Sequence, residues 1–221
     1  VLRDLRLYQL ISPALPIGGF TYSQGLEWAV EARWVHDKNT FDAWLSGLLE
    51  HSIATLDLPI LLRLHRACAA ADWLTVKHWC NYLLASRETM ELRKEERQRG
   101  AALLKLLPDL GVSIPPGQRE SFAASQLAGM ALAATQWGIS AEKSCSGYAW
   151  SWLESTVMAG VKLIPLGQTQ GQQLTLALAE KIPAALAIAC NVSDSEIGSS
   201  TPAQAIASSR HETQYTRLFR S

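Results

Sequence analysis

Apolar residues recur along this chain at the 3.6-residue rhythm of amphipathic helices, almost from end to end. Phe41, Trp44, Leu45, Leu48 and Leu49 fall at i, i+3, i+4, i+7 and i+8, with Asn39 or Thr40 placed to cap the helix they predict. A helix is expected from Ile60 to Ala71 after Pro59, and another beyond Asp72 through Trp79 and Leu83. Ser86 to Leu107 reads as a helix that is charged early and apolar late, ending at Pro108. Its Glu91, Glu95 and Arg99 follow one another at i,i+4 spacing, which predicts a solvated face. The run Pro108–Gly117 is loop. Helical pattern then resumes over Phe122–Trp137, from Ser140 to about Lys162, over Gln168–Glu180 and over Pro183–Cys190. Asp194 to Thr201 reads as a polar loop, and Thr201-Pro-Ala-Gln204 fits a capping box with proline at the first helical position. Period-two alternation and hairpin signals do not occur. The pattern predicts an all-α, single-domain bundle of about eight to ten helices spanning 1–221.

The last eleven residues break the rule that chain ends carry little apolar surface. His211, Tyr215, Leu218 and Phe219 fall at i, i+4, i+7 and i+8, as on one helix face, with Arg210, Arg217 and Arg220 beside them. Aromatics with arginine are typical of protein interfaces. Spacing alone leaves two readings, a last helix docked on its own domain or an anchor for a partner.

Composition narrows the function. With 48% apolar and 18% charged residues the chain can bury a large core. Twenty basic and twenty acidic residues cancel, which argues against a nucleic-acid binder. Cys68, Cys80, Cys145 and Cys190 are far apart and form no CxxC pair. No run of 18 consecutive apolar residues occurs, and no secretory signal is evident. A soluble cytoplasmic protein, with no membrane partner, is expected.

Catalytic motifs are missing. There is no GxxxxGK[ST] loop or GxGxxG, and Thr21 occupies the first-glycine position that a GxSxG elbow would need. The five histidines form no HExxH or His-x-x-x-His pair. An enzyme would have to assemble its site from Glu27, His211 and Glu212, and a metal carrier would have to use scattered His and Cys. The conspicuous segments are instead rich in Gly, Pro and Gln. In Ser12–Glu27, Pro13 and Pro16 precede Gly18-Gly19, which permit a tight or left-handed turn, and Tyr22 follows. This stretch is either a rigid loop packed on the bundle or a preorganised surface. Lys162–Gln172 is a sharp break in which Gln168 and Gln172 sit i,i+4.

Three blocks make the chain resemble the UreF family of urease accessory proteins. They are Ser12-Pro-x-Leu-Pro-Ile-Gly-Gly-Phe-x-Tyr-Ser-x-Gly-Leu-Glu27, Pro165-Leu-Gly-Gln-x-x-Gly-Gln172 and His211-Glu-x-Gln-Tyr-x-Arg-Leu-Phe-Arg-Ser221, with Ser86-Arg-Glu-Thr-x-Glu-x-Arg93 similar to a fourth. The resemblance implies an all-helical, dimeric, non-catalytic scaffold without cofactor or metal site of its own. Such a protein binds UreD (UreH in some organisms), recruits the GTPase UreG and helps insert nickel into urease apoprotein. It implies that segment 1–27 and tail 205–221 are partner-binding extensions. Tyr215, Arg217, Leu218, Phe219 and Arg220 would meet UreD, Lys162 would meet UreG, and Gln168 and Gln172 are further partner-facing candidates. Pro13, Pro16, Gly18, Gly19 and Tyr22 would form a structural loop.

Overall fold

The computed structural model describes all 221 residues and is all-α. Twelve α-helical segments occur: α1 (Leu2–Leu10), α2 (Leu26–Glu31), α3 (Lys38–Leu48), α4 (Leu58–Ala69), α5 (Trp73–Ser86), α6 (Met90–Leu106), α7 (Arg119–Ala123), α8 (Gln126–Gln136), α9 (Ala141–Leu163), α10 (Gln168–Ala179), α11 (Ile182–Asn191) and α12 (Pro202–His211). The expected Phe122–Trp137 helix is split, because Ser125 caps α8 through Leu127 N–H and leaves α7 as a separate short turn. Asp72 caps α5 as expected, whereas α3 is capped by Asp37 in a box with Thr40, not by Asn39 or Thr40. Thr201 does precede α12 with Pro202 in the first turn, but its side chain bonds Gln204 Oε1 and no backbone N–H.

α3 and α4 belong to one continuous helix, Lys38–Ala69, whose middle, Leu49–Asp57, is wound as a π-helix. Proline inside a helix removes an N–H and crowds the carbonyl four residues back. For Pro59 that carbonyl is Thr55 O. Thr55 O, with no α-type donor at Pro59, accepts from Gly198 N–H at 3.1 Å, and His51 O accepts from Ser200 N–H at 2.9 Å. The helix runs through Pro59 instead of starting after it, and the Thr55 and His51 carbonyls hold the lead into α12.

A single cluster of 55 buried apolar residues extends from Leu7 to Phe219. The Ala-rich α8 lies against α4 and α6, and α9 is the spine on which α4, α10 and α11 pack. Two helical stretches, Lys38–Ala69 and Gln168–Asn191, are long and apolar enough by length and composition to cross a membrane. The first is mostly buried in the core, and the second is interrupted between α10 and α11.

Candidate functional site

The chain's last residues return to its first block. Helix α12 ends at His211, and the residues beyond it are irregular, so the helical face predicted from the spacing of His211, Tyr215, Leu218 and Phe219 does not form. Capping there is by backbone alone, Glu212 N–H donating to Ser208 O and Arg210 O. What replaces the helix is an irregular segment of turns and bends laid over the 21–27 region. Arg220 N–H donates to Thr21 O at 2.8 Å, and Ser23 N–H to Ser221 O at 2.6 Å, with the Ser23 hydroxyl on the same oxygen. Phe219 and Ser221 are buried, while Leu218 remains 66% exposed and Tyr215 fully so. The tail thus docks on its own domain, as one of its two readings expects though not as a helix, and it leaves two large apolar side chains exposed.

Local conformation explains how the first block receives the tail. Gly18 is left-handed (φ +77°), as its position predicts, and starts the short 3-10 turn Gly19–Thr21. Gln24 and Gly25 are also left-handed, and a Cβ on Gly25 would lie 2.7 Å from Ser208 N in α12. Glycine there lets α2 and α12 touch backbone to backbone. Gln24 is held in its unfavourable conformation by two side-chain bonds, donating to Glu95 Oε1 at 3.0 Å and accepting from Trp152 Nε1 at 3.2 Å. Tyr22 is buried; its hydroxyl donates to Gln98 Oε1 at 2.6 Å and lies beside the Arg220 guanidinium. Burial, followed by the nearby Glu95 charge, pushes this phenol above its usual 10. Pro13 and Pro16 are exposed, with Leu15 and Ile17 turned into the core.

The Glu91, Glu95 and Arg99 face of α6, expected in solvent, is buried beneath this assembly. Each charge is paired. Glu95 accepts from Arg99 Nη1 at 3.0 Å and from Ser221 Oγ at 3.2 Å, and Glu91 accepts from Arg217 Nη1 at 2.9 Å. Burial raises the Glu95 carboxyl despite the Arg99 charge beside it. His211 is fully buried, with Nδ1 2.7 Å from Glu91 and Nε2 3.2 Å from Glu27. Glu27 also accepts the backbone N–H groups of Leu218 (2.6 Å) and Phe219 (2.9 Å). Glu27 and His211 therefore do meet, but inside the protein; Glu212 instead accepts from Glu91 N–H at 3.2 Å. No group of three or more His, Cys, Asp or Glu side chains is arranged to hold a metal ion. Cys68, Cys80 and Cys145 are buried, and burial raises all three thiols, the first two to about 12.

Of the remaining candidates, Lys162 joins the tail: it is exposed at the end of α9 with Nζ 5.9 Å from the Phe219 ring centroid. Gln168 and Gln172 are exposed on the first turns of α10 and make no side-chain hydrogen bond. The structure adds Ser23, Gly25, Glu91 and Glu95 to the site. Ser23 and Gly25 lie within the first block, but their partners are almost two hundred residues away and leave no trace in local spacing.

The chain is also similar to known proteins over nearly its whole length. A urease accessory protein UreF from Pseudomonas putida (strain GB-1) is 53% identical over 217 residues, covering 98% of this chain and 97% of that one. Proteins of the same name from Alcanivorax borkumensis and Klebsiella pneumoniae (strain 342) are each 51% identical, over 98% of this chain. The UreF family model matches residues 35–179. This chain belongs to the UreF family.

Proposed function

We propose that this protein is a scaffold in urease maturation, binding UreD (UreH) through its C-terminal tail and bringing the GTPase UreG to the urease apoprotein for nickel insertion. It performs no chemical step of its own and acts in the cytoplasm as a homodimer. The observation that carries the reading is the ordered tail: its backbone is fixed against 21–27 while Tyr215 and Leu218 point outward. Apolar side chains held in water by an ordered backbone are the usual makings of an interface anchor. Arg217 and Arg220 flank them as charged rim, and Lys162 extends the same surface onto α9, where UreG is the partner assigned to it. Gln168 and Gln172 are further partner-facing groups, and Pro13, Pro16, Gly18, Gly19 and Tyr22 form the structural loop beneath. A direct nickel carrier draws no support from the three buried thiols, since the thiolate is the soft ligand and burial opposes its formation.

Co-purification with tagged UreD, together with urease activation in cells lacking the natural protein, tests this reading. A chain truncated after Glu212 keeps α12 and is expected to lose both co-purification and activation while retaining its helical circular dichroism. Full activation by the truncated chain would remove the tail's assigned role.

A further inference from the structure

Helix α6 sorts its charges by sign between its two sides. Glu91, Glu95 and Glu96 are buried, Glu95 against Arg99 and Glu96 against Arg87. The exposed side is left with Met90, Lys94, Arg97, Gln98, Ala101 and Lys105 and no carboxylate, with half-buried Arg93 at its edge. From Lys94 to Lys105 this stripe runs about 16 Å along the helix. A solvated helix face ordinarily interleaves both signs. Here Arg93 and Arg97 stand i,i+4 and Lys94 and Arg97 i,i+3, spacings at which like charges weaken a helix. No internal partner offsets them: Arg93, Lys94, Arg97 and Lys105 make no ion pair, and neither does Lys77 of α5. Lys77 and Arg97 share one groove between α5, α6 and α7, also lined by Leu84, Ala101 and Ala124. Glu120 borders the same groove without pairing to either cation.

We propose that the outer side of α6, with the groove beside it, docks an acidic helix of a protein partner in the maturation assembly. A second helix can bring carboxylates at i, i+3, i+4 and i+7 opposite a row of cations three turns long, and the small side chains of the groove let it approach closely. Two other anionic partners fit less well. A nucleic acid requires a basic field, and this chain carries twenty basic and twenty acidic residues. A membrane surface requires large apolar groups along the stripe, and Met90 is the only one exposed on α6. The proposal rests on the scaffold reading for the existence of a partner, and it does not involve the C-terminal tail.

Titration of the full-length chain with purified UreD, UreG and urease apoprotein at low and high salt tests it, with a DNA duplex and phosphatidylglycerol vesicles alongside. Lys94, Arg97 and Lys105 are exposed, so the triple variant Lys94→Glu, Arg97→Glu, Lys105→Glu should keep the parent's melting temperature. Its affinity for at least one of the three proteins should fall by about tenfold or more, because like charges then face each other. The parent's affinity for that protein should weaken as salt rises, and the variant's should not. If the reversed chain does not fold, Lys94→Ala, Arg97→Ala, Lys105→Ala should show the same loss at reduced size. Unchanged affinity for all three proteins in a folded variant overturns the proposal and leaves the scaffold reading standing. A parent that binds none of the three overturns both. Binding to the duplex or the vesicles that the variant loses, with its protein affinities kept, assigns the face to another polyanion and overturns the proposal too.

Discussion

Arg87 shows how single residues make this polar interior tolerable. Its Nη2 donates to Asp57 Oδ1 at 2.6 Å and to Glu96 Oε2 at 2.8 Å, and the Tyr148 hydroxyl donates to the same Asp57 oxygen at 2.9 Å. Burial alone would pull the guanidinium pKa down; the charges of Asp57 and then Glu96 outweigh it, and the proton is held more tightly than usual. Tyr148 is pushed well above its ordinary range by burial first and the Asp57 charge second, so it stays a donor. Removing one member of such a buried set leaves uncompensated charge, which costs about 3–5 kcal/mol. Arg87→Met should therefore lower the melting temperature by more than about 6 °C in a chain of this length. A melting temperature within a degree of the parent would contradict the arrangement.

At the scale of elements, the caps give a titratable handle. Asp37 is held below its ordinary 3.8 by the Thr40 backbone N–H and then the Thr40 hydroxyl, and Asp72 likewise by the Thr75 hydroxyl and N–H. A carboxyl whose pKa is depressed in the folded state stabilises it fully above the unfolded value, and that contribution is lost as pH falls through the folded value. Asp37→Ala should accordingly lower the melting temperature at pH 6, by an amount that shrinks as pH drops below 3.8. A pH-independent difference would show that the carboxylate does not cap α3. The helices themselves were legible because burial repeats at their own period, as along Phe41, Leu45 and Leu48. The Asp72 cap could be read from one residue and its neighbours, but the Asp37–Thr40 box was missed because Thr40 is a capping type serving as the third helical residue. The Glu91–Glu95–Arg99 face was misread for a stronger reason. A charge ladder has the same spacing whether water or buried partners satisfy it, and these partners come from Gln24, His211, Arg217 and Ser221. The tail's helical spacing misled in the same way, since Glu27 and Thr21 compete for its N–H groups and win.

In the whole molecule, one core takes in residues from Leu7 near the start of the chain to Phe219 near its end. Tyr22, Glu27, Lys162, His211, Phe219 and Arg220 are far apart in sequence and meet because α2, α6, α9 and α12 pack together. The first and last sequence blocks pointed toward this surface, but only the packing shows which side chains support it and which it displays. Phe219 and Ser221 support; Tyr215 and Leu218 are displayed. The central claim is that the displayed pair is the anchor for UreD. The most direct measurement is the affinity of the full-length chain carrying Tyr215→Ser and Leu218→Ser for purified UreD, alongside its melting temperature. Anchor residues of this kind are each worth about 2 kcal/mol or more. The account predicts an affinity loss of about a hundredfold or greater with the melting temperature unchanged, whereas parental affinity in the folded double variant would contradict it.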